Sequence, residues 1–214
     1  FRVLHRHGIH LAFAWDKMIA RWFLATAPPF FLAGIFTRLY VYSDSIILSR
    51  FVEVAEVGYY GVAAKLTNAL QFIPVALAAA AYPALSALFT ADHTRARDLF
   101  ARAFHYLTLL ALPIMVGTIV LAGPLVRLVY GSSYDAAVPL LAVAIIALPF
   151  TFWNFLFAAL LNAIDRQVQN TVNLGLAMVL SIGGNLIAVP LWGIMGAAWV
   201  ILIVNGGLAL INMV

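Results

Sequence analysis

Cysteine is absent from the sequence. Neither a disulfide nor a thiolate metal site is therefore available, and nothing marks a redox compartment. Charge is scarce too: Asp, Glu, Lys and Arg make up 9% of the 214 residues, where a soluble domain carries about 25%. Hydrophobic residues supply 65%, and mean hydropathy is +1.03. This balance excludes a soluble globular domain and predicts an all-α integral membrane protein. The net charge of +4 is no nucleic-acid footprint, because the basic residues form no patch with interleaved aromatics. They fall mainly in short segments between apolar runs, where they set orientation. No Gly-x-x-x-x-Gly-Lys-Ser/Thr loop occurs, so nucleotide hydrolysis by that route is excluded. No cofactor, metal or nucleic-acid partner is expected. Phe1 is not an initiator methionine, and Val214 falls inside an apolar run. The chain reads as an internal piece of a longer protein with no signal peptide in view.

What is present is a series of apolar spans. Residues 1–21 form a basic leader, with Arg2, Arg6, Lys17 and Arg21 against Asp16. Leu11, Trp15, Ile19 and Trp22 recur there at the spacing of an interface-lying helix. His5, His7 and His10 invite a metal reading, but without cysteine or a nearby carboxylate pair they read as membrane-proximal polar residues. Residues 22–214 then give six transmembrane spans, at about 22–48, 57–88, 103–129, 136–161, 168–189 and 194–214. Pro28-Pro29 predicts a kink or broken turn near the start of the first, and Pro74 and Pro83 interrupt the second. Residues 91–102 read as a hydrophilic connection, and Pro190 to Gly193 as a tight turn. Eight Lys and Arg on the leader's side against two on the other place the leader, and both ends of this piece, in the cytoplasm.

Polar groups inside the spans are the candidate functional residues. Arg38, Asp44 and Lys65 are charged within sequence apolar enough to cross a bilayer. A charge at the bilayer centre costs about 2.5–3.5 kcal/mol on insertion scales, so such residues face a partner or a wet cavity. Lys65, Thr67, Asn68 and Gln71 cover about half the circumference of the second span. Asp44 and Lys65, on adjacent antiparallel spans, are expected to pair. Arg38 lies about 240° of arc from Asp44 at roughly 100° per residue. It points elsewhere, to the cytoplasmic interface by snorkelling or to a cavity. Gly58 reads as a packing position. Asn170, Asn173, Ala177, Ser181 and Gly184 form one stripe on the fifth span, the small and amide residues that close helix packing uses in lipid.

Several of these residues carry a family resemblance. Leu39-Tyr40, Asp44, Ile47-Leu48-Ser49, Val57-Gly58-Tyr59 and Ala63-Ala64-Lys65-Leu66, with Pro83 and Ser86, form its first part. Tyr130-Gly131, Tyr134, Ala137, the turn Asn162 to Arg166, Gly193 and Gly196-Ala-Ala198 form the rest. This ordered series resembles bacterial lipid-linked oligosaccharide flippases, the polysaccharide or O-antigen exporters of the multidrug/oligosaccharidyl-lipid/polysaccharide superfamily. The resemblance implies one six-helix lobe of a transporter with two lobes and twelve or more helices. The basic leader suggests the second lobe, with the first missing from this piece. It further implies alternating access, moving a polyprenyl-diphosphate-linked saccharide across the inner membrane of a bacterial cell, among membrane lipids. Arg38, Lys65, Asn68 and Gln71 are the residues inferred to line its cavity; Asp44, Gly58, Asn170 and Asn173 are inferred to be structural or coupling positions.

Two other function classes compete. A multidrug or cation antiporter of the same fold should place acids in its cavity, whereas the spans offer Asp44 against two bases. A membrane enzyme acting on polyprenyl-linked sugars would need an acid–base or nucleophile constellation near an interface. The segments 49–57, 131–135 and 190–193 are too short and too poor in ionisable groups to hold one. The chain is therefore expected not to be an enzyme.

Overall fold

The structure is a computed structural model that describes residues 16–213. Arg2, Arg6, the histidines at 5, 7 and 10, Leu11, Trp15 and Val214 lie outside the described residues, and so does most of the interfacial-helix pattern. The described chain is helical from end to end: α1 Lys17–Phe51, α2 Val54–Ala69, α3 Phe72–Ala91, α4 His93–Tyr130, α5 Ala137–Ala144, α6 Leu148–Ala163 and α7 Gln167–Met213. Short 3₁₀ turns at Ser132–Tyr134 and Ile145–Ala147 flank α5.

Among the described residues five segments are long and apolar enough to cross a membrane: Phe30–Phe51, Val54–Ala91, His93–Tyr130, Ala137–Ala163 and Gln167–Met213. The last is not one rod. Gly193 stands at φ 57, ψ −142 inside it, so residues 167–192 and 194–213 run as two arms. That positive φ is open to glycine at little cost and strained for other residues. The arms then lie close together. A Cβ on Gly196 would collide with the Ala188 carbonyl oxygen, and one on Gly184 would fall 3.1 Å from Val200 Cγ1. Small residues here let two backbones approach as membrane helices do.

Proline acts selectively. The assigned helix of α1 runs unbroken through Pro28 and Pro29, where a kink or a broken turn was expected. Pro83, Pro113, Pro124 and Pro190 also lie within helices. The break between α2 and α3 is instead set by Pro74. It has no N–H to give the carbonyl four residues back, and its ring crowds that carbonyl, on Leu70. The chain answers with tight bonds: Leu70 N–H to Thr67 O at 3.2 Å and Gln71 N–H to Asn68 O at 3.0 Å.

The expected connection over residues 91–102 is largely helix. Asp92 caps α4 by accepting from Thr94 N–H at 3.0 Å and Arg95 N–H at 3.1 Å. Arg and Ala, good helix formers, carry the helix on from there. At 38 residues, α4 is about 57 Å long, so its polar start projects well beyond a hydrocarbon core of about 30 Å.

Packing follows small-against-large pairing. Phe152 and Leu156 of α6 are fully buried against Ala103, Leu107 and Ala111 of α4. Val62 and Ala63 of α2 meet Ala122 and Val126 of α4 and Leu140 and Leu141 of α5. The principal neighbour of α1 is α7. Outward, Val120, Leu128, Ile187 and Ile203 are among many large apolar side chains left exposed. On a soluble protein so broad a patch would drive association; against acyl chains it is the matched surface.

Candidate functional site

The polar groups of the lobe divide into a buried network and an exposed set. The network centres on Asp44, 6% exposed on α1. Ser43, Asp44, Ile47 and Leu48 are buried along α1 at helical spacing. Facing them, Ser181 and Asn185 lie four residues apart on α7 and so share one face. Tyr60 Oη, from α2, donates to Asp44 Oδ2 at 2.7 Å. Asn185 Nδ2 donates to Asp44 Oδ1 at 2.7 Å, and Ser181 Oγ to the same oxygen at 3.2 Å. Ser43 Oγ is a weaker neighbour, 3.5 Å from Oδ1 and 3.1 Å from the Tyr40 carbonyl oxygen. Three helices thus aim neutral donors at one carboxyl group. A buried carboxylate without a cation persists only when its lone pairs are filled in this way.

Lys65 is not its partner. Among the described residues the ion pairs are Arg95–Asp92 and Arg127–Asp135, and neither involves Asp44. The expected Asp44–Lys65 pair is therefore replaced by hydroxyl and amide donors. The physical reason is which way each side chain faces: Asp44 turns into the α1–α7 seam, while Lys65 is exposed.

One turn before Asp44, Tyr40 joins a second group. Asn205 Nδ2, on the second arm of α7, donates to Tyr40 Oη at 2.8 Å and to Ile201 O at 2.9 Å. Asn154 Nδ2 of α6 donates to the Asn205 carbonyl oxygen at 3.1 Å, and Thr151 Oγ1 lies 3.3 Å from Asn205 Oδ1. Further along, Asn173 Nδ2 donates to Asn212 Oδ1 at 2.7 Å across the two arms, and Asn170 Nδ2 to Asn162 Oδ1 at 3.4 Å. The amide oxygens of Asn185 and Asn154 are buried without a partner. Sequence reasoning passed over Tyr60, Asn185, Thr151 and Asn154. Its one usable signal was Ser181-x-x-x-Asn185, two polar residues on one helical face.

The exposed set is Arg38, Lys65 and Asn68, with Gln71 half-buried. Gln71 Nε2 donates to Asn68 Oδ1 at 2.8 Å, so this amide pair sits on the break made by Pro74. Arg38 and Lys65 reach no carboxylate among the described residues. Gly58 is exposed, and a Cβ built on it meets nothing within 4 Å. No described residue uses it for close packing. Among the described residues no three His, Asp or Glu side chains gather as metal ligands.

Residues 3–139 match the family described as polysaccharide biosynthesis protein, well over half of the chain. The chain belongs to that family. It is 29% identical over 164 residues to the probable flippase AglR of Haloferax volcanii, a match covering 74% of this chain and 34% of AglR. In fold it is similar to an outward-facing multidrug resistance MATE family transporter of the MOP superfamily, at a TM-score of 0.78 and 16% identity. A MOP superfamily transporter from Pyrococcus furiosus Vc1, with a binding pocket of reverse polarity, aligns at the same score and identity. Each alignment covers 86% of this chain and 42% of the transporter. This member of the polysaccharide biosynthesis family therefore has the helical fold of one lobe, and it spans about a third of its curated relative.

Proposed function

We propose that this lobe belongs to a flippase that carries a polyprenyl-diphosphate-linked saccharide across the cytoplasmic membrane by alternating access. The observation that carries the reading is Lys65. It is exposed, unpaired with any described carboxylate, and eleven residues from the end of its helix at Val54. At 1.5 Å per residue this is about 16 Å in, near the midplane of a core of about 30 Å. Arg38, thirteen residues before Phe51, is about 20 Å from the same end of the lobe by the same measure. A cation at that depth is too costly to face acyl chains, so it faces water or an anion between lobes. A diphosphate head group is such an anion, and charge-assisted contacts to phosphate are the strong ones. Asn68 and Gln71, on the Pro74 break, offer amides to sugar hydroxyls beside it. Broken helices beside a midplane site are what secondary transporters use. The family membership and the similarity to a probable flippase support the same substrate class. The missing partner in this reading is the other lobe of the same protein.

Asp44 has a coupling role in this reading. A proton on it would add a donor where Tyr60, Ser181 and Asn185 already point donors. One hydroxyl would have to reverse, shifting the seam between α1 and α7. The same burial leaves no exposed acid among the described residues at the depth of Arg38 and Lys65, which disfavours cation export.

The test uses the full-length protein. Lys65→Gln and Arg38→Gln should each lower the lipid-linked saccharide reaching the outer leaflet, normalised to folded protein. Arg38→Lys should keep part of the activity, since charge survives while the planar fork does not. Because Lys65 is not paired with Asp44, its change tests transport without a stability effect. Wild-type flipping by both neutral variants would overturn the anion cavity.

A further inference from the structure

We propose that the polar end of α4 forms, with α6 and the last turn of α7, a binding site for an anionic phospholipid, separate from the transport face. An open groove of about 740 Å³ runs there, with Arg97, His105 and Asn212 along its polar part and Phe104, Phe157 and Leu160 along its apolar part. Arg97, Ala101, His105 and Thr108 fall at i, i+4, i+8 and i+11, so one face of α4 makes the wall. The floor is aromatic and stiff. Phe104 stacks on Trp153 with ring centroids 5.1 Å apart, and Trp153 Nε1 donates to Thr108 Oγ1 at 2.9 Å.

Three donors line the polar part. Arg97 and His105 are exposed, and Arg97 is in no ion pair among the described residues. Asn212 is held by its oxygen, which accepts from Asn173 Nδ2 at 2.7 Å. Its own NH₂ makes no hydrogen bond among the described residues, and Asn212 lines the groove. A smaller depression of about 380 Å³ shares Ala101 and His105 and adds Arg102, with Asp98 as its one acid. The local balance stays positive.

Depth fixes the class of ligand. Arg127 and Tyr130 mark the far end of α4. Counting back about 20 residues, the length that crosses the hydrocarbon, reaches Leu107. His105 and Phe104 then lie about 3 and 4.5 Å outside the hydrocarbon, in the head-group layer, with Phe157 packed at the same level, and Arg97 stands farther out, its long side chain able to reach back. A groove that sets cations beside aromatic rings at the membrane surface matches the phosphate and the apolar shoulder of one anionic lipid. A neutral or zwitterionic lipid would satisfy only its apolar half.

The experiment extracts the full-length protein from vesicles of equal phosphatidylglycerol and phosphatidylcholine and measures co-purifying lipid by native mass spectrometry. Phosphatidylglycerol should be retained preferentially, by about fivefold or more. Arg97→Ala with His105→Ala should bring the two lipids to parity. Arg97→Lys should keep part of the preference. Arg95→Ala, which removes a cation already paired with Asp92 and outside the groove, should keep all of it. Parity in the wild type, as when further chain or the other lobe fills the groove, overturns the proposal. So does a preference that survives the double change, or one lost equally in Arg95→Ala.

Discussion

Asp44 and Lys65 are both charged, both within membrane-crossing helices, and treated oppositely by the fold. Asp44 is buried and surrounded by three neutral donors from two neighbouring helices. Lys65 is exposed and reaches no described carboxylate. A group the lobe satisfies internally contributes to the lobe's own integrity. A group left unsatisfied at depth has its partner outside the lobe, in water, in a ligand or in another part of the protein. The contrast separates a residue whose loss should unfold the lobe from one whose loss, in the function proposed above, should disable it.

The largest expected effect tests the first half of that contrast. Asp44→Leu leaves the Tyr60 hydroxyl buried without its acceptor and strips from Asn185 Nδ2 the carboxylate partner, leaving it the Ser181 carbonyl oxygen at 2.8 Å; an unsatisfied buried donor costs about 1–3 kcal/mol. The folded fraction in detergent, followed by size exclusion during heating, should collapse. Near-normal stability would mean that the network is dispensable. Next comes Gly196→Ala. Its Cβ would meet backbone at Ala188 rather than a movable side chain, so the arms of α7 must separate, at about 1–3 kcal/mol. Gly58→Ala is the matched control, with open space around it and only a small change in melting temperature.

A smaller effect sharpens the comparison directly. A double-mutant cycle of Asp44→Asn and Lys65→Gln should be additive within about 0.5 kcal/mol. A buried ion pair would instead give strong recovery in the double variant. The smallest effect lies outside the membrane, at the turn between α4 and α5. Arg127 Nε and Nη2 donate to Asp135 Oδ1 and Oδ2 at 2.8 and 2.9 Å. The Arg127 hydrogen bond holds the exposed Asp135 carboxyl below the usual carboxylate range. A lowered acid stabilises the folded state above its unfolded value of about 3.9 and loses that contribution as pH falls through the folded one. Arg127→Ala should therefore cost little at pH 7 and flatten the acid limb of the stability curve, measured by thermal melts between pH 6 and pH 3.

The sequence made some of this legible and hid the rest for definable reasons. Hydropathy marked the chain as a bundle of membrane helices, because every backbone polar group in lipid must be satisfied within a helix. Asp44 stood out as an acid where acids are rare. Its partners did not, because Ser181 and Asn185 are distant in sequence and any of several polar stripes offered donors. The Lys65 pairing was the simplest electrostatic guess, and helix rotation overrules it. Residues 91–102 looked like a loop because they are polar, yet a polar helix outside the bilayer needs only a cap, and Asp92 supplies one. Proline alone did not foretell breaks: α1 continues through its pair, while the chain parts ahead of Pro74.

The close crossing at Gly196 has a mechanical consequence. With the backbone of one arm seated against Ala188 of the other, the two halves of α7 cannot slide past each other and behave as one stiff beam. Asn173–Asn212 pins them near their far ends, and α1 is fastened along the beam through Tyr40 and Asp44. The joint with give is the gap between α2 and α3, where ordinary helical bonding lapses ahead of Pro74. A push on this lobe from outside would therefore be taken up as a change of angle between α2 and α3, beside the amide pair of Asn68 and Gln71.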